Sequence, residues 1–94
     1  MTIPTIHLNG SDGNVLRDGY RAAADAVRKA LDAVCEAGPN ARDYYVQGPD
    51  AYRAAQREHD ARVEHLKRVR LELTALVEGI QDQIDAKEAS RRSR

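Results

Sequence analysis

The sequence has few of the residues that build large cores or covalent frameworks. Its 94 residues include no Trp, no Phe and a single Cys. One cysteine excludes an intramolecular disulfide, and we interpret Cys35 as a small core residue on the apolar side of a helix, in a reducing compartment. A chain of this length forms one domain at most, and small helical chains with limited cores often gain stability by forming oligomers.

The sequence also has no excess of either positive or negative charge. Lys and Arg together number 15, as do Asp and Glu, so the formal net charge is zero. Nucleic-acid-binding proteins normally carry a basic excess, so the balance argues against nucleic acid as the partner. No apolar run approaches the ~20 residues of a membrane span, and no secretory signal pattern opens the chain. We therefore expect a cytoplasmic protein with no membrane partner, in the host-cell cytoplasm if a phage encodes it.

The pattern of residues predicts an all-α fold, a two-helix antiparallel hairpin that follows an extended N-terminal arm. The arm comprises residues 1–13, because Pro4 forbids a helix interior and Asn9-Gly10 is typical of a turn. Three residues are alternative N-caps for the first helix, namely Ser11, Asp12 and Asn14.

The two helices are predicted at about 14–37 and about 49–89, within a hairpin of residues 14–89. Apolar residues recur at spacings of three and four in both, and the second helix shows a heptad-like pattern. Gly38 is expected to end the first helix in a left-handed conformation, and Pro49 suits the first position of the second. Residues 90–94 are predicted to form a disordered basic tail.

The unequal helix lengths predict an oligomer. Antiparallel packing about the loop would place Tyr20 against Leu66, Val27 against His59 and Leu31 against Ala55. The end of the longer helix would then contact only the N-terminal segment of its own chain, and an exposed apolar stripe normally marks an interface. The predicted homo-oligomer interface comprises Leu73, Leu76, Val77, Ile80 and Ile84.

The segment 38–48 between the helices is richer in functional groups than a chain reversal requires. Tyrosine rings stack on planar ligands, arginine and side-chain amides donate hydrogen bonds, and a helix N-terminus favours an anion. The predicted ligand-binding residues are Asn40, Arg42, Asp43, Tyr44, Tyr45, Gln47 and Arg53, with His7 and Asn9 contributed by a neighbouring subunit. Two alternatives remain open: one tyrosine caps the hairpin core, or the loop docks a protein.

The sequence predicts no catalytic site, no metal centre and no cofactor. It contains no nucleophile elbow and no glycine-rich phosphate loop beside a strand. His59 and His65 are six residues apart and so lie on different faces of a helix. We therefore expect a protein that is not an enzyme. His59 and Arg62 interrupt the heptad stripe and form either a polar layer that sets the helix register or part of a pocket.

Two segments resemble a set of short proteins encoded by tailed bacteriophages. They are Thr5-Ile6-His7-Leu8-Asn9-Gly10 and the loop from Ala37 to Pro49, which in those proteins commonly reads Ala-Pro-Asn-Gly-Arg-Asp-Tyr-Tyr-Pro-Gln-Gly-Pro. This chain departs from that pattern in three places: Gly38 precedes the proline, Ala41 replaces a glycine and Val46 replaces a proline. The resemblance implies a phage protein but defines no activity.

In size and organisation the chain is also similar to the phage anti-defence sponges, which are small, helical and oligomeric. Sponges sequester cyclic nucleotide or cyclic ADP-ribose signals of bacterial immune systems through aromatic stacking and arginine and amide contacts. By this analogy we expect the chain to bind and sequester a nucleotide-derived immune signal without catalysis. The alternatives are a helical assembly module or protein-docking inhibitor that acts through its coiled-coil face, and a small DNA-binding regulator.

Overall fold

The computed structural model describes residues 1–93, which form an all-α hairpin as predicted. Helix α1 spans Gly13–Glu36 and helix α2 spans Pro49–Arg92, and no strand occurs in these residues. Two single-turn 3-10 helices, Ala41–Asp43 and Tyr45–Gln47, occupy the connection. Because α2 continues to Arg92, residues 90–92 are helical although the sequence predicts a disordered tail from residue 90; Arg94 lies outside the described residues.

The helix ends follow from local capping. The Asp12 carboxylate accepts hydrogen bonds from the Asn14 and Val15 backbone N–H groups at 2.8 and 3.3 Å, which selects Asp12 among the three candidate N-caps. Pro49 occupies the start of α2, as predicted. The left-handed conformation predicted for Gly38 is wrong, because Gly48 alone among the described residues has a positive φ, of 107°.

Three contacts fix the register between the helices. The Arg17 guanidinium donates to the Gln81 side-chain oxygen at 3.1 Å. Gly13 lies beside Ile84, and Gly38 lies beside the His59 ring. Helix α1 therefore packs antiparallel against the part of α2 that extends from about residue 59 to residue 84.

The register predicted from the sequence is wrong. Extended to Gly38, it would place residue 48 opposite that glycine, whereas the structure places His59 there, about eleven residues or three helical turns further along. The predicted pairing of Tyr20 with Leu66 is therefore not formed. The other two predicted pairs, Leu31 with Ala55 and Val27 with His59, fail for the same reason.

This register covers the residues that were predicted to form the oligomer interface. Ile80 is completely buried within a single chain, and Leu73, Leu76, Val77 and Ile84 are half-buried. Their burial removes the reason for assigning them to an interface between subunits. Leu31, at 8% exposure, is the other buried apolar side chain among the described residues.

The N-terminal arm packs along the second half of α2. Gln83 holds it with two hydrogen bonds of 2.8 Å: its side-chain oxygen accepts from the Ile6 N–H, and its side-chain nitrogen donates to the Pro4 carbonyl. Ile3 packs closely over Gly79. The arm thus lies beside the start of α1 and adds apolar cover to the same part of α2, residues 79–84.

Candidate functional site at the loop end

The connection between the helices is a folded element. The Asn40 side-chain oxygen accepts from the Arg42 N–H at 3.0 Å, and the Asn40 carbonyl accepts from the Asp43 N–H at 3.0 Å. The Tyr44 carbonyl accepts from the Gln47 N–H at 2.9 Å. Two consecutive tight turns therefore fix the backbone, and the Asn40 oxygen is used as a local cap, which leaves its amide N–H groups for a ligand.

The two adjacent tyrosines have different surroundings. The Tyr44 ring is half-buried, and its centroid lies 6.4 Å from that of Tyr52 on α2, with the ring planes inclined at 51°. Tyr45 is 76% exposed. Tyr44 therefore anchors the loop on α2, while Tyr45 presents its ring to solvent. Sequence reasoning left open whether one tyrosine caps the hairpin core, and it missed Tyr52 as the contact, although Tyr52 lies near the start of the predicted second helix.

A small polar recess lies beside Tyr44, where the end of α1, the loop and α2 meet. Its volume is about 130 Å³. It brings together two sets of residues that the sequence treated as separate candidates, the loop tyrosine and the His59–Arg62 pair. The recess is lined by Ala37, Pro39, Tyr44, Ala55, Glu58, His59 and Arg62.

Several predicted site residues lie outside this recess. Asn40, Arg42, Asp43, Gln47 and Arg53 are all exposed, and none of them lines it. Small-molecule sites usually occupy about 300–1,000 Å³, so the recess of one chain is too small for a nucleotide. A nucleotide bound here would have to lie across the exposed loop surface or against a second chain.

The cations of α1 and those of the loop end differ in their ion pairing. Each α1 cation contacts an aspartate within 4 Å: Arg17, Arg21, Arg28 and Lys29. Arg28 and Lys29 together lower the pKa of the Asp25 carboxyl below its ordinary value of 3.8, chiefly through the hydrogen bond from Arg28.

Within residues 1–93, no arginine of the loop end forms an ion pair. This set comprises Arg42, Arg53, Arg57 and Arg62. A guanidinium with five donors and no carboxylate partner can bind an anion without first breaking a salt bridge. The loop-end arginines therefore have no direct carboxylate contact within the described part of the chain, whereas each cation of α1 has one.

The structure does not bring His7 and Asn9 to the loop within one chain. The Gly10 N–H donates to the His7 carbonyl at 3.1 Å in a turn just before α1. The loop follows the other end of that 24-residue helix, so roughly 36 Å of helix separates them. Cys35 is exposed, so its interpretation as a core residue is wrong.

The described residues contain no group of three or more His, Cys, Asp or Glu side chains placed to hold a metal ion. None of the helices in residues 1–93 combines the length and the apolar content needed to cross a membrane. Comparisons with protein families, curated proteins and solved structures give no match.

Proposed function

We propose that the protein binds and sequesters an anionic, nucleotide-derived small molecule at its loop end, without chemical conversion of that molecule. In the phage setting that the sequence resemblance implies, such binding would lower the concentration of a bacterial immune signal. Candidate ligands are a cyclic oligonucleotide or a molecule of the cyclic ADP-ribose type. The protein would act in the cytoplasm of the infected cell.

The observation that carries this proposal is the absence of ion pairs at the loop-end arginines, beside an exposed aromatic ring. Phosphate oxygens accept hydrogen bonds from guanidinium groups, and a nucleobase stacks on tyrosine. Tyr45, at 76% exposure, provides a free ring face on a backbone that two tight turns hold in place. The backbone that carries the binding groups is already ordered before the ligand arrives, which reduces the entropic cost of binding.

Tyr45→Ala provides the first test, with titration calorimetry or native mass spectrometry against cyclic oligonucleotides, cyclic ADP-ribose isomers and plain nucleotides. Loss of one stacking contact should weaken binding roughly tenfold or more. Because the ring is exposed, helicity and the thermal midpoint should not change. Val46→Ala is the matched control, since Val46 is 78% exposed and adjacent in sequence. Equal affinity in the two variants would remove Tyr45 from the site.

A second variant pair tests the arginines. Arg62→Gln removes a cation from the recess, whereas Arg68→Gln removes an exposed cation that does not line it. We expect Arg62→Gln alone to weaken binding, and the loss should diminish as the salt concentration rises. Equal loss in both variants would indicate general electrostatic attraction and no defined site.

The molecular shape favours a second candidate function, a helical assembly module. The radius of gyration is 20.2 Å, whereas a compact chain of this length has about 12 Å. Such a module would bind protein through its helix surfaces, and the loop would only reverse the chain. It predicts that none of the nucleotide ligands binds and that Tyr45→Ala and Val46→Ala behave alike.

A further inference from the structure

Helix α1 carries an apolar stripe along the edge of its contact with α2, which α2 covers only in part. Its members follow one another at spacings of four and three, so they form one continuous face, which we call the outer seam. The outer seam comprises Leu16, Tyr20, Ala23, Val27, Ala30 and Val34. None of these side chains is buried in the single chain: Ala30 is exposed and the others are half-buried. The charged residues of α1 all occupy other positions, so the seam has no charge to desolvate.

The outer seam also contains a shallow apolar groove. The groove has a volume of about 310 Å³ and lies along the first half of α1, between Leu16 and Ala23. Val15 contributes to it and is itself 68% exposed. Water therefore contacts apolar surface that the described residues of the same chain cover only in part.

The accessible surface of the chain exceeds that of a compact monomer of the same mass. It measures 7123 Å², whereas a compact monomer of 10.4 kDa exposes about 5,400 Å². The excess, roughly 1,700 Å², is about twice the ≈ 800 Å² that each partner buries in an interface of standard size. A two-helix hairpin with one completely buried side chain thus leaves enough surface for a stable dimer.

We propose that the occupant of the outer seam is a second copy of this chain, with the two α1 helices packed antiparallel. If their centres coincide near residue 25, Tyr20 faces Ala30 of the second copy and Val27 faces Ala23. Each large side chain then meets a small one, which allows close packing. Parallel packing would place Tyr20 against Tyr20 and Val27 against Val27. Antiparallel packing also opposes the two helix dipoles.

The antiparallel arrangement has a consequence for the ligand site. With the centres matched near residue 25, residue 41 of one chain lies opposite residue 9 of the other. The second copy therefore brings His7 and Asn9 beside the loop, although roughly 36 Å of helix separates these groups within one chain. The arm would then enclose the small recess from outside. This part of the inference depends on the proposed function, whereas the dimer itself does not.

Sedimentation of the unligated protein tests the dimer. The wild-type chain should sediment at twice its mass of 10.4 kDa, and Ala30→Glu should convert it to a helical monomer at micromolar concentration. Ala22→Glu is the matched control, because Ala22 is an exposed α1 residue outside the outer seam and should leave the dimer intact. A monomeric wild-type protein, or equal effects of the two variants, would overturn the proposal. Circular dichroism establishes that each variant has kept its helices.

Cross-linking tests the orientation. In a Cys35→Ser background, Ser11→Cys and Ala41→Cys are prepared as separate proteins and treated with a short bismaleimide reagent. Antiparallel packing predicts a cross-linked dimer only when the two proteins are mixed. Parallel packing predicts that each variant cross-links to itself, which would overturn the shared site.

The two proposals fail separately in these experiments. A cross-linked antiparallel dimer that binds none of the nucleotide ligands contradicts the proposed function and leaves the inference standing. A monomer that binds a nucleotide contradicts the inference and leaves the function standing. If both hold, Asn9→Ala should weaken binding of the identified nucleotide without changing the sedimentation of the dimer, and unchanged affinity would show that the arm is not part of the site.

Discussion

The two ends of the hairpin differ in what holds them together. At the arm end, Ile80 is completely buried and Gln83 joins the arm to α2 through two hydrogen bonds. At the loop end, no residue of the segment 38–62 is buried, and the aromatic contact between Tyr44 and Tyr52 is the main anchor. The arm end therefore contains the one completely buried side chain among the described residues, and the loop end presents more of its surface to a binding partner.

The largest effect expected from this comparison is that of Ile80→Ala. Removing a completely buried isoleucine should lower the free energy of unfolding by about 2–5 kcal/mol, which a chain with so little core cannot readily lose. Chemical denaturation followed by circular dichroism measures the change. Leu71→Ala, on the same helix but 70% exposed, should cost under about 0.5 kcal/mol. Similar losses in both variants would show that the arm end is not where stability resides.

At the loop end, Gly48→Ala should have the next largest effect. Gly48 has φ 107° and ψ 165°, a region that residues with a Cβ rarely adopt, and no atom lies within 4 Å of the added methyl group. The cost, about 1–3 kcal/mol, would therefore come from the backbone alone. Thermal unfolding measures it. An unchanged midpoint would mean that the loop relaxes freely at this position.

A smaller and more local effect is expected from Gln83→Leu. The variant loses two hydrogen bonds to the arm, each contributing about 1 kcal/mol, so the arm should detach while the helices persist. Hydrogen exchange should accelerate at the Ile6 amide. Gln81→Leu is the control, because Gln81 bonds to Arg17 and Asp85 and does not touch the arm. Equal acceleration in both variants would show that Gln83 does not hold the arm.

The smallest effect is expected from Asp25→Asn, which removes a surface carboxylate from its ion pairs with Arg28 and Lys29. The folded-state pKa of Asp25 is lowered. The carboxylate therefore contributes to stability above pH 3.8, its ordinary pKa, and this contribution is lost as the pH falls through the folded-state pKa. The variant should be slightly less stable than the wild type at pH 7, and the difference should vanish in strong acid and decrease with added salt. A difference that persists in acid would have another cause.

Much of the architecture follows from the sequence. The apolar spacing and the Gly and Pro residues predict the ends of both helices to within about three residues. The register does not follow, for a physical reason. A shift of eleven residues is nearly three full turns, so the same face of α2 meets α1 in either register. Periodicity cannot distinguish the two arrangements. The decisive feature is the loop, which folds into two 3-10 turns along α2 and occupies the turns that α1 was expected to cover.

The candidate site was predictable in composition and only partly in geometry. The sequence shows that tyrosines and an arginine occur between the helices, but it does not show that Tyr44 faces α2 while Tyr45 faces solvent. Adjacent residues in a 3-10 segment point in different directions, and only the backbone decides which one is anchored. The same register error separated His59 and Arg62 from the loop, although the structure places them in one recess with Tyr44.

The length of helix α2 sets the distance between the two ends of the molecule. Its 44 residues form a single helix of roughly 66 Å that carries the arm at one end and the loop at the other. Adding seven residues to α2 and seven to the facing part of α1 would lengthen the rod by roughly 10 Å with little change in the faces that meet. The spacing between the two ends can thus be adjusted in heptad steps, while the chemistry of each end stays as it is.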